Sequence, residues 1–327
     1  MSGAEDAAVR DGRAPDVPFL TAEALAGCAT VLDAVDALAD CLTGGFDPDD
    51  DPARAAADVP AGRLLLMPAA FGDLAGVKLV SIAPDNPDRG VPLVQALYVL
   101  LDGATLTPLA TLDGTYLTTL RTSAVSALAA RRLARPESRS LVLFGAGVQA
   151  WAHARSLSRV LPLRDVQVVG RDPGRVDALV GRIRDELGLI ASAAGPEAVA
   201  EADVVACCTT ARQPLFAGER LRPGTTVIAI GAYEPDAREL DDATLRGATV
   251  VVESRGSALR EAGDVIQALA SGALGPDDLT TLTTWVRTDR EPPPAAVRVF
   301  KGTGMSWQDL AVAGMLHRRL RGAEPAC

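Results

Sequence analysis

Lys78 is one of only two lysines among 32 basic residues, and it lies within the apolar run Val77 to Ile82, on the strand face that also carries Val80 and Ile82. A charge on a face of that kind needs a partner or a task. Lysine retained where arginine is the habit suggests a compact ammonium with a movable pKa, able to hold an anion or pass a proton. An edge-strand lysine reaching to water is the plainer alternative. Arg121 stands at the head of a helix expected from Thr118 to Ala134, where a cation opposes the helix dipole by ~0.3–1 kcal/mol. An anion at the same place, such as a substrate carboxylate, would answer it, and Thr122 beside it could reach cofactor phosphates. An arginine simply exposed on a first turn is the alternative.

A second group of residues suits phosphate. Leu141-Val142-Leu143-Phe144 reads as a buried strand, and Gly145-Ala146-Gly147-Val148-Gln149-Ala150 follows at once and opens a helix. In that setting the G-x-G-x-x-A spacing is a dinucleotide fingerprint. Gly145 permits the tight turn, Gly147 lets backbone approach a pyrophosphate, and Ala150 lets helix and strand pack closely. Unpaired N–H groups at the helix N-terminus complete the anion site. The next strand, Val166-Gln167-Val168-Val169, ends in Gly170-Arg171. NAD sites place an acid there for the ribose 2′-OH, whereas a guanidinium can fork onto the 2′-phosphate of NADP. NADP(H) is therefore favoured over NAD(H), the alternative being a solvated Arg171 with Asp172 serving the ribose.

Other chemistries have little to draw on. His153 and His317 are the only histidines and no H-E-x-x-H occurs, so neither a histidine-built zinc site nor a Ser-His-Asp triad is expected, and no metal site is assigned. The five cysteines include no C-x-x-C pair and read as free thiols. A net charge of −10 argues against a nucleic-acid surface. No apolar run reaches the roughly 20 residues of a membrane span, and Met1 to Asp16 lacks the character of a signal peptide; the expectation is a cytoplasmic enzyme with a small-molecule substrate and no membrane partner.

The elements that must position these residues follow from patterning. The chain's 327 residues suit two domains. Residues 1–18 are small, polar and proline-bearing, which predicts disorder. Thr21 reads as the N-cap of one helix running through Leu42 to Gly44-Gly45. Apolar runs at Leu64 to Met67, Val77 to Ile82, Leu97 to Leu101 and Leu106 to Leu112, with Asp102-Gly103 and Asp113-Gly114 as hairpin signals, predict an antiparallel sheet. Strands at 141–145, 165–169, 203–208, 226–230 and 249–253 alternate with helices, which predicts a doubly wound parallel sheet. After Pro292-Pro293-Pro294 come one more strand, Val297 to Phe300, the turn Lys301-Gly302-Thr303-Gly304 and a helix to Leu320. The fold class expected is α/β: a Rossmann-type doubly wound sheet (121–304) plus an α+β substrate and dimerisation domain with an antiparallel sheet (19–120 and 305–327).

Arg121-Thr122-Ser123-Ala124 followed by Phe144-Gly145-Ala146-Gly147-Val148-Gln149-Ala150 resembles the signature of the ornithine cyclodeaminase/mu-crystallin family. Leu66-Met67-Pro68-Ala69, Lys78-Leu79-Val80-Ser81, Pro84-Asp85-Asn86, the stretch Pro235 to Leu240 and Gln308-Asp309-Leu310-Ala311 match it in order, from about residue 54 to 313. The resemblance implies a homodimer joined through the first domains and an active site between those domains and the Rossmann domains. It implies that Arg54, Lys78 and Arg121 hold a substrate carboxylate, that Met67 lines the pocket, and that Lys78 passes a proton at the substrate nitrogen. Thr122, the turn Gly145 to Gln149, Arg171, Thr209 and Thr303 would contact the cofactor. Asp309 is left open between a chemical and a structural role.

Two departures select a branch. Cyclodeaminases of the family carry an acid two residues before the Met-Pro pair and an Asp after a Gly-Gly or Gly-Ala; here those positions hold Leu65 and Tyr233, with Glu234 adjacent. The expectation is an NADPH-dependent reductase of 2-imino acids, such as cyclic ketimines of the pyrroline- or piperideine-2-carboxylate type. An ornithine or lysine cyclodeaminase, an alanine-type dehydrogenase, and a non-catalytic NADPH-binding protein of the mu-crystallin kind are the alternatives.

Overall fold

Two sheets organise the chain in the computed structural model, which describes residues 16–323. The first contains β1 (Phe19–Leu20), β2 (Ala55–Val59), β3 (Gly62–Phe71), β4 (Leu74–Ile82), β5 (Val94–Asp102) and β6 (Pro108–Asp113), in the order β1-β6-β5-β4-β3-β2. Every pair is antiparallel except β1 with β6. The second contains β7 (Ser140–Phe144), β8 (Asp165–Val169), β9 (Ile190–Ala193), β10 (Val204–Cys207), β11 (Thr226–Ala229), β12 (Thr249–Val252), β13 (Leu279–Thr281) and β14 (Arg298–Lys301), ordered β13-β12-β14-β11-β10-β7-β8-β9 and parallel throughout. The α/β class with one doubly wound and one antiparallel sheet is as the sequence predicts.

Local chemistry corrects the boundaries. The single helix expected from Thr21 to Leu42 is two, Ala22–Cys28 and Val31–Thr43. Thr21 caps the first, accepting from Ala24 N, but Thr30 and Asp33 form a capping box that starts the second. Asp102-Gly103 does lie in the β5–β6 hairpin. Asp113-Gly114 does not make a hairpin: the Asp113 carboxylate accepts from Tyr116 N at 2.8 Å and starts the helix Gly114–Leu133. Arg121 therefore stands in that helix's interior rather than in the first turn that the sequence predicts for it. Strands β2, β9 and β13 go beyond the sequence reading, being short or, in the case of Ala55–Val59, exposed along their whole length.

The chain divides into two units. One gathers the described residues through Ala29, Asp51–Thr118 and Asp309 onward; the other gathers Thr30–Asp50 and Thr119–Gln308. Thr30–Asp50 thus groups with the parallel sheet, whereas the sequence boundaries put it with residues 19–120. Arg287 accounts for this by donating to Leu42 O and Phe46 O. The disorder expected for residues 1–18 lies, through position 15, outside the described residues. No helix among the described residues is long and apolar enough to cross a membrane.

In the second unit β7 and β10 are neighbours, and the chain leaves them to opposite sides, so the crevice beyond their carboxyl ends is a topological switch point. His153, on the helix Val148–Val160 that follows β7, is wholly buried; its ring nitrogens bond Gln149 O at 2.8 Å and Ser126 Oγ at 2.9 Å. Burial holds its pKa down to about 4. An unfolded histidine takes up its proton near the ordinary value of 6.5, so this contribution to stability is whole above that pH and is lost as pH falls toward 4. Melting temperature should therefore drop over that window by an amount on the order of 3 kcal/mol in stability. In His153→Gln this part of the slope should vanish, and an unchanged slope in scanning calorimetry would contradict the assignment.

Candidate active site

In the first unit the antiparallel register sets Met67, Lys78 and Tyr98 side by side across β3, β4 and β5. Alternation turns all three to the buried face, where they are 3%, 1% and 0% exposed. Lys78 Nζ meets Asp309 Oδ2 at 2.7 Å, and neither side chain reaches solvent. The alternative of a lysine reaching out to water is excluded by that burial. Asp309 acquires a defined role, as the counter-charge of Lys78. Tyr98 is held above its usual range, first by burial and then by the negative charge of Asp309 and Asp51. Arg54, half-buried, immediately precedes Ala55, which pairs with Leu66 next to Met67.

In the second unit the turn Gly145-Ala146-Gly147 joins β7 to the helix Val148–Val160. Gly145 has φ +104°, and a Cβ there would lie 2.5 Å from Cys208 O, the residue after β10, so no other residue lets the two strand ends approach so closely. Its N–H donates to Val169 O at the end of β8. Gly147 is the N-cap, no side chain caps the helix, and a Cβ on it would meet nothing within 4 Å. Val148 is 67% exposed, and the buried Gln149 Oε1 has no hydrogen-bond partner. An open, uncapped helix N-terminus at a switch point fits a dinucleotide pyrophosphate. Arg171 is exposed two residues beyond β8, and Asp172 caps the next helix, accepting from Arg175 N at 3.1 Å.

Carboxylates hold the remaining loops from beneath. Buried Glu239 accepts from Thr209 N at 2.9 Å, Thr209 Oγ at 2.7 Å and Gly231 N at 2.7 Å, tying the segments after β10 and β11 together. Burial raises its pKa, against the opposing pull of Lys301. Lys301, at the end of β14, lies 3.0 Å from Asp264, which accepts from Glu239 N and Leu240 N. Glu253, following β12, accepts from Thr303 N and Gly304 N at 2.9 Å each and from Gln308 Nε2 at 2.7 Å. Gln308 Oε1 in turn accepts from Arg121 Nη1 at 2.7 Å. Arg121 is 5% exposed, so the reading of a surface first-turn arginine falls. Thr122, next to it on the helix, is half-buried.

Within their units, then, the structure gathers Met67 with Lys78, the glycine turn with Thr209, and Arg121 with Thr303. Sequence reasoning missed Glu253, Glu239, Asp264 and Tyr98 and gave Gln308 no role. A signal existed for Glu253, an acid closing the apolar run Val250 to Val252.

A sequence profile of the ornithine cyclodeaminase/mu-crystallin family matches residues 24–324. The ketimine reductase mu-crystallin of Mus musculus is 35% identical over 258 residues, covering 78% of this chain and 80% of that protein. A Delta(1)-pyrroline-2-carboxylate reductase of Thermococcus litoralis, solved with NADH and L-proline, superimposes with a TM-score of 0.89 at 27% identity, over 94% of this chain and 98% of its own. An archaeal alanine dehydrogenase dimer with bound NAD gives 0.88 at 29% identity, over 95% and 98% respectively.

The Lys78–Asp309 pair yields a stability prediction. Removing one member takes from the other its counter-charge at 2.7 Å, so Lys78→Met or Asp309→Leu should each cost about 3–5 kcal/mol in urea unfolding. The double variant Lys78→Met/Asp309→Leu should recover most of that loss, and additive losses would show that the two groups are not a pair.

Proposed function

Because this chain belongs to the ornithine cyclodeaminase/mu-crystallin family, we propose that it is an NADPH-dependent reductase that converts 2-imino acids, cyclic ketimines among them, to amino acids. It is a nicotinamide-dependent oxidoreductase of C–N bonds, and relatives named for ketimine and pyrroline-2-carboxylate reduction support the imine as its substrate. The observation that carries the reading is a pair of buried cations, Lys78 and Arg121, each held by a polar partner. Arg54, Lys78 and Arg121 receive the carboxylate, and Met67 lines the ring's side. The dinucleotide, when bound, supplies hydride to the C=N carbon. The turn from Gly145 to Gln149, with Thr122, Thr209 and Thr303, holds it. Lys78 keeps a proton at the substrate nitrogen, since a protonated imine accepts hydride more readily, and Asp309 keeps Lys78 charged.

Cyclodeamination finds less support. Leu65 is buried against Met67 and Val80 in an apolar cluster, with no acid beside the Met-Pro pair. Glu234, the one acid that could stand in after Gly231-Ala232, is bonded to Arg212 at 3.0 Å. NADPH is favoured by exposed Arg171 and by Asp172, one of whose oxygens is engaged in capping.

Purified protein mixed with NADPH and 1-pyrroline-2-carboxylate should consume the cofactor's absorbance, with loss of about 100-fold or more in kcat/KM for Lys78→Ala. Ammonia release from ornithine or lysine without added cofactor would instead establish a cyclodeaminase, and NADPH binding with neither activity a binding protein. The NADPH preference over NADH should fall about tenfold or more in Arg171→Ala.

We also propose a cytoplasmic homodimer, the compartment being supported by the thiols of Cys207 and Cys208, which form no disulfide. On the outer face of the first sheet Leu66, Leu79 and Leu97 lie in one cross-strand row, 48%, 42% and 50% exposed. A second copy would cover such a face, as the dimeric alanine dehydrogenase makes reasonable. Light scattering should give twice the chain mass for the native protein and a monomer for Leu79→Asp; a monomeric native protein refutes the proposal.

A further inference from the structure

Lys301 is the second of the two lysines among 32 basic residues, and like the first it is buried, 1% exposed. It closes β14, where the register sets it opposite Ala229 of β11 and Val252 of β12. Its ammonium thus belongs to the carboxyl edge of the parallel sheet, on an interior strand. Two buried carboxylates answer it there, Asp264 at 3.0 Å and, through its charge, Glu239. Asp264 Oδ1 accepts from Glu239 N and Leu240 N, which fixes the backbone that carries Glu239. Glu239 in turn spreads its oxygens over Thr209 N, Thr209 Oγ and Gly231 N. A Cβ on Gly231 would lie 2.5 Å from Glu239 Oε1, so the backbone is cleared for that carboxylate.

Each of those contacts uses Glu239 as an acceptor, a role that an ionised carboxylate fills with both oxygens. A proton on either oxygen would face an amide N–H, and the tie to Thr209 or to Gly231 would be lost. Burial raises the pKa of Glu239, Lys301 pulls it back, and Asp264 adds to the rise. Cys207 and Cys208 also face it, but burial first and then the charge of Glu239 hold both thiols well above their usual range, so they stay neutral. We infer that Lys301 is a positioning residue for the dinucleotide: it keeps Glu239 ionised, and through that charge holds the segments after β10 and β11 where Thr209 receives the cofactor. This rests on the reading of Thr209 and the glycine turn as contacts of the dinucleotide.

NADPH binding, followed by the cofactor's fluorescence, is titrated across pH in Lys301→Met and expressed relative to wild type at the same pH, which cancels the ionisation of the cofactor's own phosphate. Without the lysine, Glu239 takes up a proton as pH falls. Lys301→Met should bind within about threefold of wild type at about pH 9 and about tenfold or more weakly at about pH 6. Lys301→Met/Glu239→Gln removes one charge of each sign and leaves no carboxyl at 239 to titrate, so its affinity should be about tenfold weaker at every pH. A loss in Lys301→Met that is equal at every pH marks a merely structural role and overturns the inference, as does wild-type affinity throughout or a slope that survives Glu239→Gln. If Lys301→Met does not fold by circular dichroism, the charge-matched double variant is set against Glu239→Gln alone. The two should agree within about twofold, both about tenfold weaker than wild type, and a further loss in the double variant overturns the inference. Wild type that binds NADPH without reducing any imine sinks the reductase reading and leaves this comparison decisive. Wild type that binds only NADH removes the NADPH preference, and the same titration with NADH decides. Wild type that binds neither dinucleotide overturns both.

Discussion

Placing a cation out of water is the constraint from which most of this structure follows. Lys78 and Arg121 are 1% and 5% exposed, and a charge so desolvated costs several kcal/mol unless a partner with good geometry answers it. Their partners, Asp309 and Gln308, are consecutive on the helix Ser306–Ala323. That helix must therefore begin where it does, and the turn that leads into it must be held. Glu253 does the holding, through the N–H groups of Thr303 and Gly304. An interior strand, β14, delivers this turn between β11 and β12 although it comes from the far end of the sequence.

The same device recurs at the neighbouring crossovers. Glu239 binds the segments after β10 and β11 much as Glu253 binds the one after β14, by accepting backbone N–H groups at the carboxyl edge of the sheet. Such anchors satisfy donors that irregular backbone would otherwise leave buried and unpaired. They also fix loops that bear Thr209 and Thr303. Because these acids are engaged from beneath by amides, their charge is spent on architecture. That suits a chain whose net charge is −10 and whose proposed ligands, a dinucleotide phosphate and a carboxylate, are anions.

What was legible in the sequence was whatever local pattern encodes. The glycine turn could be read because a strand, a turn and a helix follow one another without interruption, and Lys78 because its rarity and its apolar neighbours make burial conspicuous. The two-sheet architecture could be read from period and turn residues. The first-turn argument for Arg121 does not hold, since Asp113 starts the helix about one turn earlier than the alanine pattern suggests. Glu253, Glu239 and Asp264 escaped because their function is long-range: Glu253 meets Gln308 across 55 positions, a pairing no local spacing records.

The contrast between positions 308 and 309 deserves a chemical account, because each could have been the other residue. Lysine's ammonium loses its charge readily when buried, so a group meant to keep a proton available at a substrate nitrogen benefits from a carboxylate in direct contact. Arginine stays protonated in any protein environment and needs no such help; a direct carboxylate would only occupy the fork that recognises an acid. Asp beside lysine and Gln beside arginine is thus the assignment in which each cation receives what its own acidity requires. At position 308 a neutral amide fixes one guanidinium nitrogen at 2.7 Å without adding a carboxylate there, while at position 309 a carboxylate stands 2.7 Å from the ammonium it answers.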